Sequence, residues 1–429
     1  MTRGLHRTII AAVAFAAVLA TGSACSGSKP STTLDPNEKI TLTMTWWGND
    51  TRLANTKKII DAFQKLHPNI TIQPSYSDYS AYWNKLATQI AGNDTPDIMQ
   101  MDDIYLSTYA RQGVLLNLSD YHIDTSLFPK AAVDAGTVDG KPYALPSGAA
   151  AYAMVANTAL FQQAGIPVPD DTTWTWDDFA KLTKQLTDAG HRQFWGFGSS
   201  FGYDDGSLRL WLRQQGETLF SDSGQVAATA PTVAGYFAHL HGLVQNGSTP
   251  PASTLQENQG VGLSETFLAT NKVAIGSFFN SQLSALTNAS KSPLKLLMLP
   301  QSKGTYFLKP SAQWAGSARS QHPAAVAAFV DFMVNSTEAG DIQLTERGIP
   351  ANKAVGAHIA AKLSPVDQAA IDFMNKLPLG QSEPVTPPGG SQVVKILPRY
   401  TEQVLFGKMQ PDAAAAGFLK ELKDAVKNA

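Results

Sequence analysis

The sequence predicts an α/β protein of two lobes, each a mainly parallel sheet flanked by helices. Three observations carry this. The chain has 429 residues, more than one hydrophobic core usually covers. From Ile40 to Met101 it alternates strand and helix signals. A second alternation of strand and helix signals begins near Gly148.

Taken in order, the chain opens on Arg3 and Arg7 and an apolar run of 12 residues from Ile9 to Ala20, then Thr21-Gly22-Ser23-Ala24-Cys25. At 1.5 Å per residue the run is too short for a bilayer core of about 30 Å. It reads as a secretory signal peptide over residues 1–24. The sole cysteine, Cys25, follows small residues at the cleavage point, which resembles a bacterial lipoprotein signal with lipid added to Cys25. Gly22 stands where such a signal usually has Leu, and the plainer reading is an ordinary cleaved signal with an incidental cysteine. Residues 25–38 are polar and read as a flexible tether. Cleavage removes two arginines and no acid, leaving 405 residues with net charge −4.

Ile40, Leu42, Met44 and Trp46 alternate with threonines, the period of a half-buried strand. Leu53, Ile59, Ile60, Phe63 and Leu66 keep helical spacing up to His67-Pro68. Ile70 and Ile72 give a second strand. Tyr79, Tyr82, Trp83, Leu86 and Ile90 give a second helix, and Ile98–Met101 a third strand. Successive strands joined by helices imply right-handed crossovers and parallel pairing.

Beyond Gly148, Ala151–Ala156 reads as a strand and Asn157–Gly165 as a short helix stopped by Gly165. Thr175-Trp176-Asp177-Asp178 is a capping box with Asp in place of Glu. Pro323 suits the first position of a helix carrying Val326, Phe329, Val330 and Met333. Residues 383–391 read as a loop, and a last helix starts near Pro411. How often the chain crosses between lobes is not readable from periodicity.

Composition excludes several classes. With 33 basic and 35 acidic side chains there is no excess of charge to neutralise phosphates, which disfavours nucleic acid. The apolar fraction of 43% excludes a disordered polyelectrolyte, and one cysteine excludes a disulfide scaffold. No later stretch reaches the length of a membrane span. Charged residues make up 16%, below the usual quarter. Ser, Thr, Asn and Gln carry the surface instead, as is common outside the cytoplasm.

No metal, nucleophile or phosphate-loop motif is present, so neither cofactor nor metal is expected. His239 and His241 are two apart, facing different ways on a helix. Asp177 and Asp178 are explained by helix capping. Asp102 and Asp103 differ, because they follow the carboxyl end of a predicted parallel strand, where ligands of open α/β sheets bind. There one aspartate can cap the next helix while the other accepts hydrogen bonds from hydroxyls. Trp46 and Trp47 end the first strand at that edge, and alternation buries one and exposes the other. Trp314 sits among small residues, and Phe278-Phe279-Asn280 meets another strand end. Aromatic rings beside neutral and acidic acceptors suit a pyranose, which has an apolar C–H face and a rim of hydroxyls.

Several phrases in order resemble the extracellular solute-binding proteins of ABC transporters, in the sugar-binding family that includes maltose-binding protein. They are Thr43–Gly48, Thr95–Asp102, Gly113–Leu118, Asp139–Pro146, Asn157–Gly165, Trp174–Phe179 and Gly348–Asn352, spread over residues 39–429. Ala156 stands where that family usually has Tyr, and Phe278 or Phe279 where it often has Trp. The resemblance implies two lobes joined by several crossovers, lobe one at 39–147 plus 313–356 and lobe two at 148–312 plus 357–429. It implies a ligand between them, closure on a hinge, delivery to a membrane permease, and a monomer held by lipid on Cys25 to the outer face of the cytoplasmic membrane. Carried over residue by residue, it implies ligand contacts at Trp46, Trp47, Asp102, Asp103, Phe278 or Phe279, Asn280, Trp314, Gly316 and Arg347, with Trp211 added. The expected function is non-catalytic capture of a mono- or oligosaccharide. Two other readings stand beside it: the same fold holding a polyol, phosphate ester or peptide, and a secreted glycoside-processing enzyme drawing on Asp102, Asp103 and Glu265.

Overall fold

The structure, a computed structural model, describes residues 32–429 apart from 192, 199, 303 and 381. The signal segment, Cys25 and the first part of the tether lie outside the described residues. None of the described helices is long and apolar enough to cross a membrane.

Twelve strands among the described residues form three sheets. In chain order they are β1 (Ile40–Trp47), β2 (Ile70–Ser77), β3 (Ile98–Met101), β4 (Thr137–Val138), β5 (Lys141–Pro142), β6 (Ala144–Ala150), β7 (Tyr152–Asn157), β8 (Trp195–Phe197), β9 (Val273–Phe279), β10 (Leu294–Leu297), β11 (Lys309–Gly316) and β12 (Ile349–Pro350). The first large sheet has the order β12-β6-β11-β3-β1-β2, the second β10-β7-β9-β8, and β4 with β5 makes a small ribbon.

Helices α1 (Asp50–Leu66), α2 (Tyr79–Ala91) and α3 (Asp103–Arg111) link or follow β1, β2 and β3. Asn49 and Asp78 cap the first two, each accepting a backbone N–H three residues on. Strand alternation divides β3 between two cores. Ile98 packs with Trp46, Phe63 and Phe329, and Met99 and Met101 pack with Tyr82, Trp83 and Leu106 on the other side. A separate core lies around the second sheet, from Tyr152 and Phe179 to Phe418 and Leu422.

The sheets are less parallel than the sequence implies. β1 pairs parallel with β2 and β3, and β8 with β9. The pairs β11–β3, β11–β6, β12–β6, β10–β7 and β7–β9 are antiparallel. The reason is the route of the chain. Parallel neighbours need a long covering crossover, whereas β6 passes into β7 through the single residue Ala151 and enters the second sheet directly. Residues 298–308 return the chain to β11. β12 lies beside β6 before the chain leaves again for the helix Pro365–Asn375, which packs against β10.

Three consecutive strands of the first sheet, β12, β6 and β11, therefore carry the chain's passages between the two sheets. Their register is tight. Ala149 pairs with both Ile349 and Pro310, and a Cβ on Gly348 would lie 2.5 Å from the Ala149 carbonyl oxygen. Gly348 has φ +87°, so glycine meets both the conformation and the close approach.

Candidate ligand cleft

A cleft of about 1260 Å³ is lined from both sheets' sides. On the first side, β1 ends on Trp47, and Tyr79 and Trp83 stand four residues apart on one face of α2. The Trp47 ring centre lies 5.5 Å from each of theirs. Tyr105, in the first turns of α3, stacks on Trp83 at 3.9 Å. On the opposite side Phe279, the last residue of β9, meets Tyr152, the first of β7, edge to face at 5.2 Å. The two are partners in the sheet, and the Tyr152 hydroxyl lies 3.2 Å from Ser277 Oγ.

Charge enters from two matching turns. Asp102 follows β3 and caps α3, accepting from the Ile104 amide at 3.3 Å. Asp204 caps the helix Asp205–Gln214 in the same way, accepting from the Gly206 amide at 2.7 Å. Each cap is followed by a second aspartate, Asp103 and Asp205, so these two turns bring four carboxylates to the cleft, two from each side. Lys309, the first residue of β11, reaches one pair. Its Nζ is 2.8 Å from Asp102 Oδ1 and also donates to Asp103 Oδ1. Arg209 holds the other side, with Nε 2.7 Å from Asp205 Oδ2, Nη1 3.2 Å from Glu383 Oε2 and Nη2 3.0 Å from Thr386 Oγ1. Arg52 and Glu346 form a further pair at 2.9 Å.

Burial raises the Asp102 carboxyl to about 7 against the pull of Lys309, and Asp103 adds to the rise. Burial acts on Asp103 too, but Lys309, the hydrogen bond with Asp102 and the more distant Arg209 outweigh it and hold Asp103 below the usual carboxylate range. Burial, then the charge of Asp205, lifts Asp204 to about 6. Burial opposes the charged form of Lys309, but Asp102, Asp103 and Asp205 prevail and keep it protonated. Such a surface offers aromatic faces for C–H groups and charge-assisted acceptors for hydroxyls. Among the described residues no group of three or more His, Cys, Asp or Glu is placed to hold a metal.

Of the residues picked from sequence, Trp47, Asp102, Asp103 and Phe279 line the cleft. The others occupy packing positions, which corrects the expectation of ligand contact. Trp46 and Trp314 are fully buried in the first core, and Trp314 Nε1 donates to Ser147 Oγ at 2.9 Å. Arg347 is buried with its guanidinium 5.4 Å from the Trp314 ring and Nη2 2.7 Å from Thr56 Oγ1. Gly316 makes room for a helix rather than a ligand, since a Cβ there would lie 2.6 Å from Val326 Cγ1. Phe278 packs against the second core. Asn280 bonds the Ala151 amide and the Ala370 carbonyl. Trp211 stacks on His239 and meets Trp176 at a tilt, and its Nε1 donates to the Thr232 carbonyl. That contact also explains His239, which burial holds well below its ordinary value, at about 4.

The sequence reading missed Tyr79, Trp83, Tyr105, Tyr152, Asp204, Asp205, Arg209 and Lys309. One signal was available for Asp204-Asp205. Both Met101-Asp102-Asp103 and Tyr203-Asp204-Asp205 place two aspartates at the start of a helix.

Comparison with known proteins bears on the family and the fold. The family model described as bacterial extracellular solute-binding protein matches residues 47–339. The lactose-binding protein of Rhizobium radiobacter is 26% identical over 234 residues, 53% of this chain and 51% of that protein, so the match spans about half of that relative. A binding protein of Brucella abortus is 23% identical over 384 residues, 87% of this chain and 88% of its own length. Among solved structures, a periplasmic oligogalacturonide binding protein from Yersinia enterocolitica superposes with a TM-score of 0.81 at 22% identity, covering 91% of this chain and 99% of that one. With a family match over more than half its length and two sheets facing one cleft across three crossing strands, the chain belongs to the bacterial extracellular solute-binding proteins.

Proposed function

We propose that the protein captures an oligosaccharide in this cleft and delivers it to the membrane permease of an ABC importer. The observation that carries the reading is the pairing of aromatic rings with carboxylates on both walls, Trp47 and Asp102 on one, Phe279 and Asp204 on the other. The relative from Rhizobium is named for lactose, and the Yersinia neighbour was solved with saturated digalacturonic acid; both ligands are saccharides. The cleft of about 1260 Å³ exceeds the 300–1,000 Å³ or so typical of sites for single drug-sized ligands, which favours two or more sugar rings over one. Micromolar affinity needs about 8 kcal/mol. One or two stacked rings and several charge-assisted hydrogen bonds, at roughly 0.5–3 kcal/mol each, supply that.

Contacts made to both walls at once exist only when the walls approach, so ligand binding favours closure. The lobes we propose follow the strands: residues 39–150 plus 309–356, and 151–308 plus 357–429. The first lobe is three residues longer at Ala150, and starts again four residues earlier at Lys309, than the sequence alone suggests. The signal and cysteine pattern support export and anchoring by lipid on Cys25.

Thermal shift with a panel of mono- and oligosaccharides tests the reading. A saturating oligosaccharide at 100 times its Kd stabilises by about 2.7 kcal/mol and raises the melting temperature. Stabilisation by peptides or phosphate esters alone would overturn it.

A further inference from the structure

The cleft's cations are already engaged. Arg52 is paired with Glu346, Arg209 with Asp205 and Glu383, and Lys309 with both Asp102 and Asp103. Lys395 also lines the cleft but is exposed, where water screens it. A ligand carboxylate entering here meets acids and, among the described residues, no inner cation without an acidic partner. A ligand ammonium would be drawn to the aspartate pair, but the Lys309 ammonium occupies that position. Lys309 is fixed there from behind, because its Cα pairs with Ala150 on the neighbouring crossing strand.

We propose that Lys309 is a specificity-determining residue, a tethered counter-cation that reserves the cleft for uncharged saccharides over both aminated and acidic ones. It does so while leaving lone pairs on Asp102 and Asp103 to accept hydroxyl hydrogens, and its own N–H groups can donate to a ring or glycosidic oxygen. Removing it leaves two adjacent carboxylates without their bonded cation, a site that an ammonium on the sugar itself would complete. The inference rests on the carbohydrate reading above.

Calorimetric titration tests it with matched gluco-, galacto- and manno-configured oligosaccharides in neutral, 2-amino and uronate forms. The wild-type protein should bind a neutral form at least about tenfold tighter than its charged counterparts. Lys309→Met keeps the aliphatic stem. It should weaken the neutral form and strengthen the 2-amino form, moving their ratio by at least about tenfold, and Lys309→Arg should restore the wild-type order. Equal weakening of neutral and amino forms in Lys309→Met would reduce Lys309 to a packing role and overturn the inference, leaving carbohydrate capture intact. So would wild-type protein that binds an amino or uronate form as tightly as the neutral one, a result that needs no variant to fold. Folded wild-type protein that binds no form in any series would overturn both.

Discussion

The Asn280 side chain joins the two sheets at their narrowest passage. Its Oδ1 accepts from the Ala151 amide at 2.9 Å, and Ala151 is the single residue between β6 of one sheet and β7 of the other. Its Nδ2 donates to the Ala370 carbonyl at 3.1 Å, on the helix that follows the last crossing. Three residues earlier on that helix, Asp367 accepts from Thr345 Oγ1 at 2.6 Å, just ahead of β12. Two passages between the sheets are thus tied to one helix by buried hydrogen bonds.

Asn280→Ala should therefore cost stability and loosen the hinge together. It strands the buried Ala151 amide, worth about 1–3 kcal/mol when left unpaired, and removes a second bond to the mid-helix Ala370 carbonyl. We expect urea unfolding to show a loss of about 1–3 kcal/mol with an unchanged denaturant slope. A loss below about 0.5 kcal/mol, the range of an ordinary surface change, would mean that water replaces the amide and that Asn280 is not a pin.

The tryptophans divide by role. Trp47→Ala should weaken saccharide binding by about 0.5–1.5 kcal/mol beyond lost area, with little effect on unfolding. Trp46→Ala and Trp314→Ala empty fully buried positions and should cost about 3–5 kcal/mol of stability each. The contrast is read by measuring melting and titration on the same three variants. A stable Trp46→Ala protein with lost binding would reverse the assignment.

That division shows which parts of the site the sequence could carry. Alternation along β1 shows that Trp46 and Trp47 take opposite faces, and the aspartates after β3 mark a sheet edge; both are local facts. Trp314 misled because Gly316 near it serves the close approach of the Pro323–Asn335 helix and not of a ligand, while Ala315 packs into the core on the other side of the sheet. Tyr79 and Trp83 share the helical period of core residues, and period cannot separate a core from a cleft wall. Lys309 meets Asp102 across 207 residues of chain, and Arg209 meets Glu383 across 174. No local pattern encodes such pairs. The crossing strands were hidden for the same reason, since β6 finds its partners in β11 and β12, far along the chain.

Glu383 is the acid that two buried guanidiniums share. Arg213 Nη1 lies 2.7 Å from its Oε1 and Arg209 Nη1 3.2 Å from its Oε2. Nearby, the Thr386 carbonyl accepts from Ser107 on α3, so this loop fastens one wall of the cleft to the other. Glu383→Ala leaves buried positive charge short of an acid and should cost about 3–5 kcal/mol. Glu383→Gln keeps the shape and should cost less. If both variants melt with the wild type, the ion pairs contribute nothing to folding.

Asp204 gives the pH prediction. Its folded value, about 6, lies above the ordinary carboxylate value of about 3.9. Between those values the folded state holds a proton that the unfolded state has lost, so stability falls as pH rises through the window and the penalty is complete above about 6. The group is partly solvated, which reduces the full linkage value to about 1–2 kcal/mol. Asn is as good a helix cap as Asp, so Asp204→Asn should keep the bond to the Gly206 amide. It should stabilise the protein by that amount at pH 7.5 and by nearly nothing at pH 4, as read by urea unfolding across the range. Binding should move the other way, because the amide is a weaker acceptor for sugar hydroxyls than the carboxylate. A variant whose stability relative to the wild type is the same at both pH values would show that neither the burial of Asp204 nor the nearby charge of Asp205 carries an energetic cost.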